Sequence, residues 1–137
     1  MITEDFVSYE VAKLLKEKGF DGECDYLYAN GEILRAQGFK CNWNKGESIF
    51  TDYKNECSAP TLQMAMKWLR DVHNLHIEAR ITNHSMSSLI EVVKYYWVVF
   101  NTTNAKWVNE SSAYTLYFDK YEDACASAIK NCLENLI

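Results

Sequence analysis

Cys57 is the thiol in this chain with a chemical case. It stands just ahead of an expected helix beginning near Pro60, where the positive end of the helix dipole favours thiolate over thiol. A nucleophile there needs a base. His76 follows the far end of that helix, but about fourteen helical residues at ~1.5 Å each carry the chain ~20 Å away. A strand that starts at His76 and runs back along the helix recovers the distance in ~6 residues at ~3.3 Å each. The returning chain then reaches Cys57 at Asn83 and His84. The pairing that spacing allows is therefore Cys57 with His84, with Asn83 or Asn101 orienting the imidazole, as in a thiol-dependent hydrolase or transferase.

Two further groupings imitate metal sites. Asp21, Glu23, Asp25 and Glu32 fall at the first, third, fifth and twelfth places of a calcium loop. Its sixth place, which needs Gly for a sharp turn, is Tyr26, so the segment reads instead as an acidic strand start. His73 and His76, with Cys24, Cys41 and Cys57, supply ligand types for zinc. Structural zinc sites bring closely spaced Cys pairs, and none of these cysteines is so paired. No cofactor or metal is expected. Nor does the sequence hold a phosphate-cradling Gly loop, a serine elbow or a zinc-protease helix motif. Cys125 and Cys132 lie one heptad apart on an apolar stripe and read as core residues.

The elements that must position these groups are legible from periodicity. A first helix is expected over residues 8–18, with Val7, Val11, Leu14 and Leu15 forming its apolar stripe and Gly19 as its stop. Residues 24–28 read as a strand turning at Asn30-Gly31 into a return strand at 33–35. A weakly patterned region, 37–56, holds an expected strand at 48–53. The second helix, 60–73, buries Leu62, Ala65, Met66, Leu69 and Val72, with Trp68 at the flank. A strand at 76–82, a polar loop at 83–88 and a strand at 92–101 follow, then a turn and a strand near 114–118. The last helix runs from Tyr121 to the end of the sequence. These elements predict one α+β domain over residues 1–137. Both strand-to-helix units would share an antiparallel sheet, with the two long amphipathic helices packed on one face and the N-terminal helix shorter.

The strand at 92–101 is apolar on both sides. Tyr95, Trp97 and Val99 alternate with Tyr96, Val98 and Phe100. Two long helices cover one face. The short N-terminal helix either packs with them, leaving the second face for a twin subunit or another partner, or crosses to that face in a monomer, and the first arrangement is the favoured one. Tyr95, Tyr96 and Trp97 are therefore candidates for an interaction surface, and a two-fold homodimer is the simplest assembly that hides it.

Composition narrows the partners. Fourteen Lys and Arg are scattered among nineteen Asp and Glu, for a net charge of −5, which disfavours nucleic acid as the main partner. The longest apolar run, 95–100, is far too short to span a bilayer, so no membrane is expected. Two acids near the start and an odd number of cysteines, five, point to a cytoplasmic protein with free thiols.

The segments ITEDFVSYEVAKLLKEKGF (2–20), APTLQMAMKWLR (59–70) and YEDA (121–124) resemble a group of small proteins without established function. That group recurs in Bacteroides-type genomes and their phages or mobile elements. The resemblance implies a setting and brings no activity or catalytic residue with it. The leading expectation is a non-enzymatic binding or accessory protein acting through a protein partner or self-association. The alternative is the thiol enzyme built on Cys57, His84 and Asn83.

Overall fold

A computed structural model describes residues 2–36, 40–45, 56–87 and 90–137, apart from the side chains of residues 84–87, 90 and 91. The expected strand at 48–53 lies outside the described residues. Among those described, the protein is a mixed α+β fold with three helices and two antiparallel sheets.

Helix α1 (Tyr9–Glu17) starts where Ser8 Oγ accepts the Val11 N–H at 3.2 Å, and it buries Val11, Ala12 and Leu15. Gly19 takes φ +90° beyond its end, which folds Phe20 back to donate its N–H to the Leu15 carbonyl. Helix α2 (Leu62–His73) is capped in the same way by Thr61, whose hydroxyl accepts the Met64 N–H at 3.2 Å. It ends at Asn74 in the left-handed region, a conformation Asn tolerates. Trp68 joins the buried stripe, whereas Val72, expected there, is 56% exposed in the last turn. Helix α3 (Tyr121–Asn131) buries Ala124, Cys125, Ala128 and Ile129, then widens into a π-helical turn at Cys132–Leu136. Lys120 occupies the cap position, and Asp119 before it forms an ion pair with Lys94.

The first sheet has the order β2-β1-β3, from strands β1 (Tyr26–Ala29), β2 (Glu32–Arg35) and β3 (Cys57–Ser58). Asn30 and Gly31 both have positive φ, the geometry of the primed two-residue turn that suits a twisted hairpin. The second sheet, β4-β5-β6, comprises β4 (Leu75–Ser87), β5 (Ile90–Asn101) and β6 (Lys106–Glu110).

One shared sheet was the expectation, and two are found. Strand β3 is only two residues long, and Pro60 and α2 follow at once. It therefore offers too short a row of backbone donors and acceptors to recruit β4. Residues 83–87, expected as loop, continue β4, pairing Asn83 with Val93 and His84 with Val92. The β-branched partners on β5 keep that ladder going. Near 114–118 only Phe118 bridges to Tyr95, and the third strand is instead Lys106–Glu110.

A hydrophobic cluster joins all three helices to both sheets through residues such as Leu15, Leu27, Leu69, Val99, Ile129 and Leu133. Among the described residues, no helix is long and apolar enough to cross a membrane.

Candidate functional site

Strand parity divides β5 into two faces with different surroundings. Trp97 and Val99 point inward and are almost fully buried; Trp97 is 2% exposed. Its indole N–H donates to Ser127 Oγ on α3 at 3.1 Å, and its backbone N–H donates to the buried Ser111 Oγ at 2.9 Å. Trp97, expected as part of an interaction surface, is thus a core residue. Tyr95, on the same side, is half-buried and meets Tyr121 edge-on at 6.2 Å. Of the three expected surface residues, only Tyr96 lies on the outer face.

That outer face is where aromatic groups remain accessible. Across its three strands His76, Phe100 and Trp107 form one row, and Glu78, Val98 and Glu110 the next. Phe100 and Trp107 meet edge-to-face at 4.9 Å, and Tyr96 and Tyr117 at 6.3 Å. The Arg80 guanidinium lies over the Trp107 ring at 4.8 Å and pairs with the Glu78 carboxylate at 3.3 Å. Hydrogen bonds to Glu78 and Tyr96 hold the Arg80 pKa above its usual value, so it keeps its charge. Trp107 nevertheless remains 58% exposed. Arg80, Val98, Trp107 and Glu110 help line an open cleft of about 520 Å³.

A bulge puts Trp107 there. Phe100 pairs with Trp107 and Val99 with Asn109, which leaves Val108 as an extra residue. Residues two apart on a regular strand share a face. The bulge separates Trp107 from Asn109, sending the indole outward while Asn109 Nδ2 donates inward to Asn131 Oδ1 at 3.4 Å. Sequence reasoning missed β6 altogether. The available signal was the turn Asn101-Thr-Thr-Asn104, in which Asn101 Oδ1 accepts the N–H groups of Thr103 and Asn104.

Cys57 occupies different ground. It sits on β3 opposite Tyr28, 1% exposed, and four residues before the Thr61 cap. The helix start therefore does not activate it. Burial raises the thiol pKa, with Lys16 and Lys13 opposing, so the neutral thiol is favoured. Cys57 borders a cleft of about 390 Å³ with Tyr9, Lys13, Lys16 and Glu56, where Lys16 Nζ donates to the Glu56 carbonyl at 2.8 Å. Asn83 is exposed on β4, in the second sheet, and the backbone of His84 follows it there; the His84 side chain lies outside the described residues. Asn101, the other expected orienting group, is committed to its own turn.

The His and Cys residues that imitate a zinc set are dispersed between elements. His73 ends α2, edge-on to Trp68 at 4.6 Å, and His76 lies on β4. Among the described residues, no three His, Cys, Asp or Glu side chains gather as a metal ion requires. Cys125 and Cys132 are buried in the core, as their stripe requires. No protein-family model, curated protein or solved structure matches this chain.

Proposed function

We propose that the protein is a non-enzymatic binding or accessory protein whose working surface is the outer face of the second sheet. The observation that carries this reading is the exposed Trp107, with the Arg80 guanidinium over its ring and Phe100 edge-to-face beside it. Trp, Tyr and Arg are the residues that most often anchor protein–protein contacts, because they bury large areas and retain a polar handle. Both α2 and α3 contact β4, and α3 also contacts β5. In this reading the two long helices together cover the inner face, Val98 on the outer face is already buried, and the region around Trp107 is left for a partner.

The partner we favour is a second copy of the chain. A two-fold contact requires a self-complementary surface, and this one carries Arg80 beside Glu78 and Glu110. Arg80 of one copy can then meet Glu110 of the other while the Trp107 rings exclude water. A cytoplasmic setting and an origin in Bacteroides-type or mobile-element genomes belong to the same proposal. With a net charge of −5, a protein partner is favoured over nucleic acid. Sedimentation equilibrium at micromolar concentration tests it. The expected mass is twice the 15.9 kDa of one chain, returning to a single chain in Trp107→Ala. A single-chain mass at every concentration rules out the homodimer and leaves a foreign protein as the occupant. A dimer indifferent to Trp107→Ala puts the interface elsewhere.

Thiol chemistry at Cys57, with His84 and Asn83, is the second reading. Its support is the cleft that Cys57 shares with Lys13 and Lys16. Rapid iodoacetamide labelling of Cys57 near pH 6 in the native protein would favour it over the first, and slow labelling would remove it.

A further inference from the structure

Cys24 lies just before β1 and Cys41 just before a 3-10 turn at Trp43–Lys45. The two residues exchange both of their backbone hydrogen bonds. Cys24 N–H donates to the Cys41 carbonyl at 2.9 Å, and Cys41 N–H donates to the Cys24 carbonyl at 3.3 Å. This reciprocal exchange defines the hydrogen-bonded class of antiparallel pair, whose Cα atoms stand ~5.5 Å apart with both side chains on one face. A disulfide spans Cα separations of about 4.4–6.8 Å, so the backbone already brings these thiols within range. The other cysteines are placed differently. Cys57 is on β3, and Cys125 and Cys132 are a heptad apart along one helix, a rise of ~10 Å.

We infer that Cys24 and Cys41 form a reversible intramolecular disulfide when the protein meets a low-molecular-weight disulfide such as oxidised glutathione. Cys41 is half-buried and Cys24 is 1% exposed, so Cys41 is the point of attack. Its thiolate attacks one glutathione sulfur, forming a mixed disulfide and releasing the other glutathione as thiolate. Cys24, once deprotonated, attacks Cys41 Sγ, forming the internal bond and expelling the second glutathione thiolate. Two cysteine thiols lose two protons and two electrons, and one glutathione disulfide becomes two thiols. Burial holds the Cys24 thiol up at about 12, so the closing step accelerates as pH rises. At such strand pairs the Cβ atoms are ~4.5–5.5 Å apart, against ~3.8 Å in a mean disulfide. Closure therefore pulls the segments slightly together, and the bond is correspondingly easy to reduce. What it clasps is the buried Trp43, whose indole N–H donates to the Cys24 carbonyl at 2.8 Å and whose backbone N–H donates to Ser58 Oγ at 3.0 Å.

Peptide mapping of the native chain tests the inference without any substitution. Trypsin places each cysteine on its own peptide: 19–35, 41–45, 55–67, 121–130 and 131–137. After incubation with oxidised glutathione and quenching with N-ethylmaleimide, peptide 19–35 should be joined to 41–45. That pair should exceed any other linked pair by about tenfold or more, because neighbouring thiols enjoy a high effective concentration. Dithiothreitol should separate it again. Glutathione remaining on Cys41 with no link to 19–35, or links spread over Cys57, Cys125 and Cys132, would overturn the assignment. Cys24→Ser should leave a stable glutathione adduct on Cys41; loss of that adduct would contradict the proposed order of attack.

Discussion

Trp97 and Trp107 occupy the same sheet and meet opposite fates. The first is 2% exposed and the second 58%. Trp97 lies on the side of β5 that α3 contacts and finds a partner for each of its N–H groups, in Ser127 and Ser111. Trp107 has the same chemistry but sits beyond a bulge, on the opposite face, with Arg80 for a neighbour. An aromatic-rich strand pair thus supplies both a core and a surface. The difference comes from what each ring packs against, Ser127 of α3 for the first and the exposed Arg80 and Phe100 side chains for the second.

The contrast is sharpest in the cost of truncation. Trp97→Ala should lower stability by about 3–5 kcal/mol in urea denaturation, since it leaves a large cavity in the core. A loss below ~1 kcal/mol would show that the inner face tolerates voids, and the comparison would collapse. The double change Cys125→Ala and Cys132→Ala removes two buried sulfurs from the same core and should cost roughly 1–3 kcal/mol by the same measurement.

The buried thiols also predict a pH response. Burial raises Cys24 and Cys132 from 9.0 to about 12, so between these values the folded state holds protons that the unfolded state has lost. Their stabilisation is complete below pH 9 and declines as pH rises toward 12. Urea midpoints should therefore fall on the alkaline side, and Cys132→Ala should flatten that slope; an unchanged slope would mean other groups dominate.

Ser127→Ala takes away the acceptor of the Trp97 indole and should cost about 1 kcal/mol. Trp107→Ala should be the mildest for folding, within about 1 kcal/mol in dilute solution, because it forfeits mainly an exposed contact with Arg80. Its effect should appear in the sedimented mass. Equal destabilisation by Trp97→Ala and Trp107→Ala would erase the distinction between the faces.

Much of the local structure was readable because its causes are local. Gly19 and Asn30-Gly31 accept backbone angles that most residues resist, so the first helix stop and the first hairpin could be read directly. The burial of Cys125 and Cys132 followed from helical spacing. The candidate sites were less accessible. Nearness to a helix in sequence points to an activated Cys57, yet the residue sits inside a strand where desolvation favours the neutral thiol. Strand β6 went unread because Val108 interrupts the alternation that identifies a strand.

Sequence alone determined the helices and the first hairpin, since these rest on contacts within a few residues and on intrinsic backbone preference. It also determined the two-sided apolar character of β5 through simple alternation. Only the tertiary structure decided that the strands form two sheets, that one tryptophan enters the core while another stays outside, and that Cys24 faces Cys41 across a backbone bridge. Each of these depends on which distant segment arrives as a neighbour, and strand periodicity, which names the faces, cannot say what will cover them.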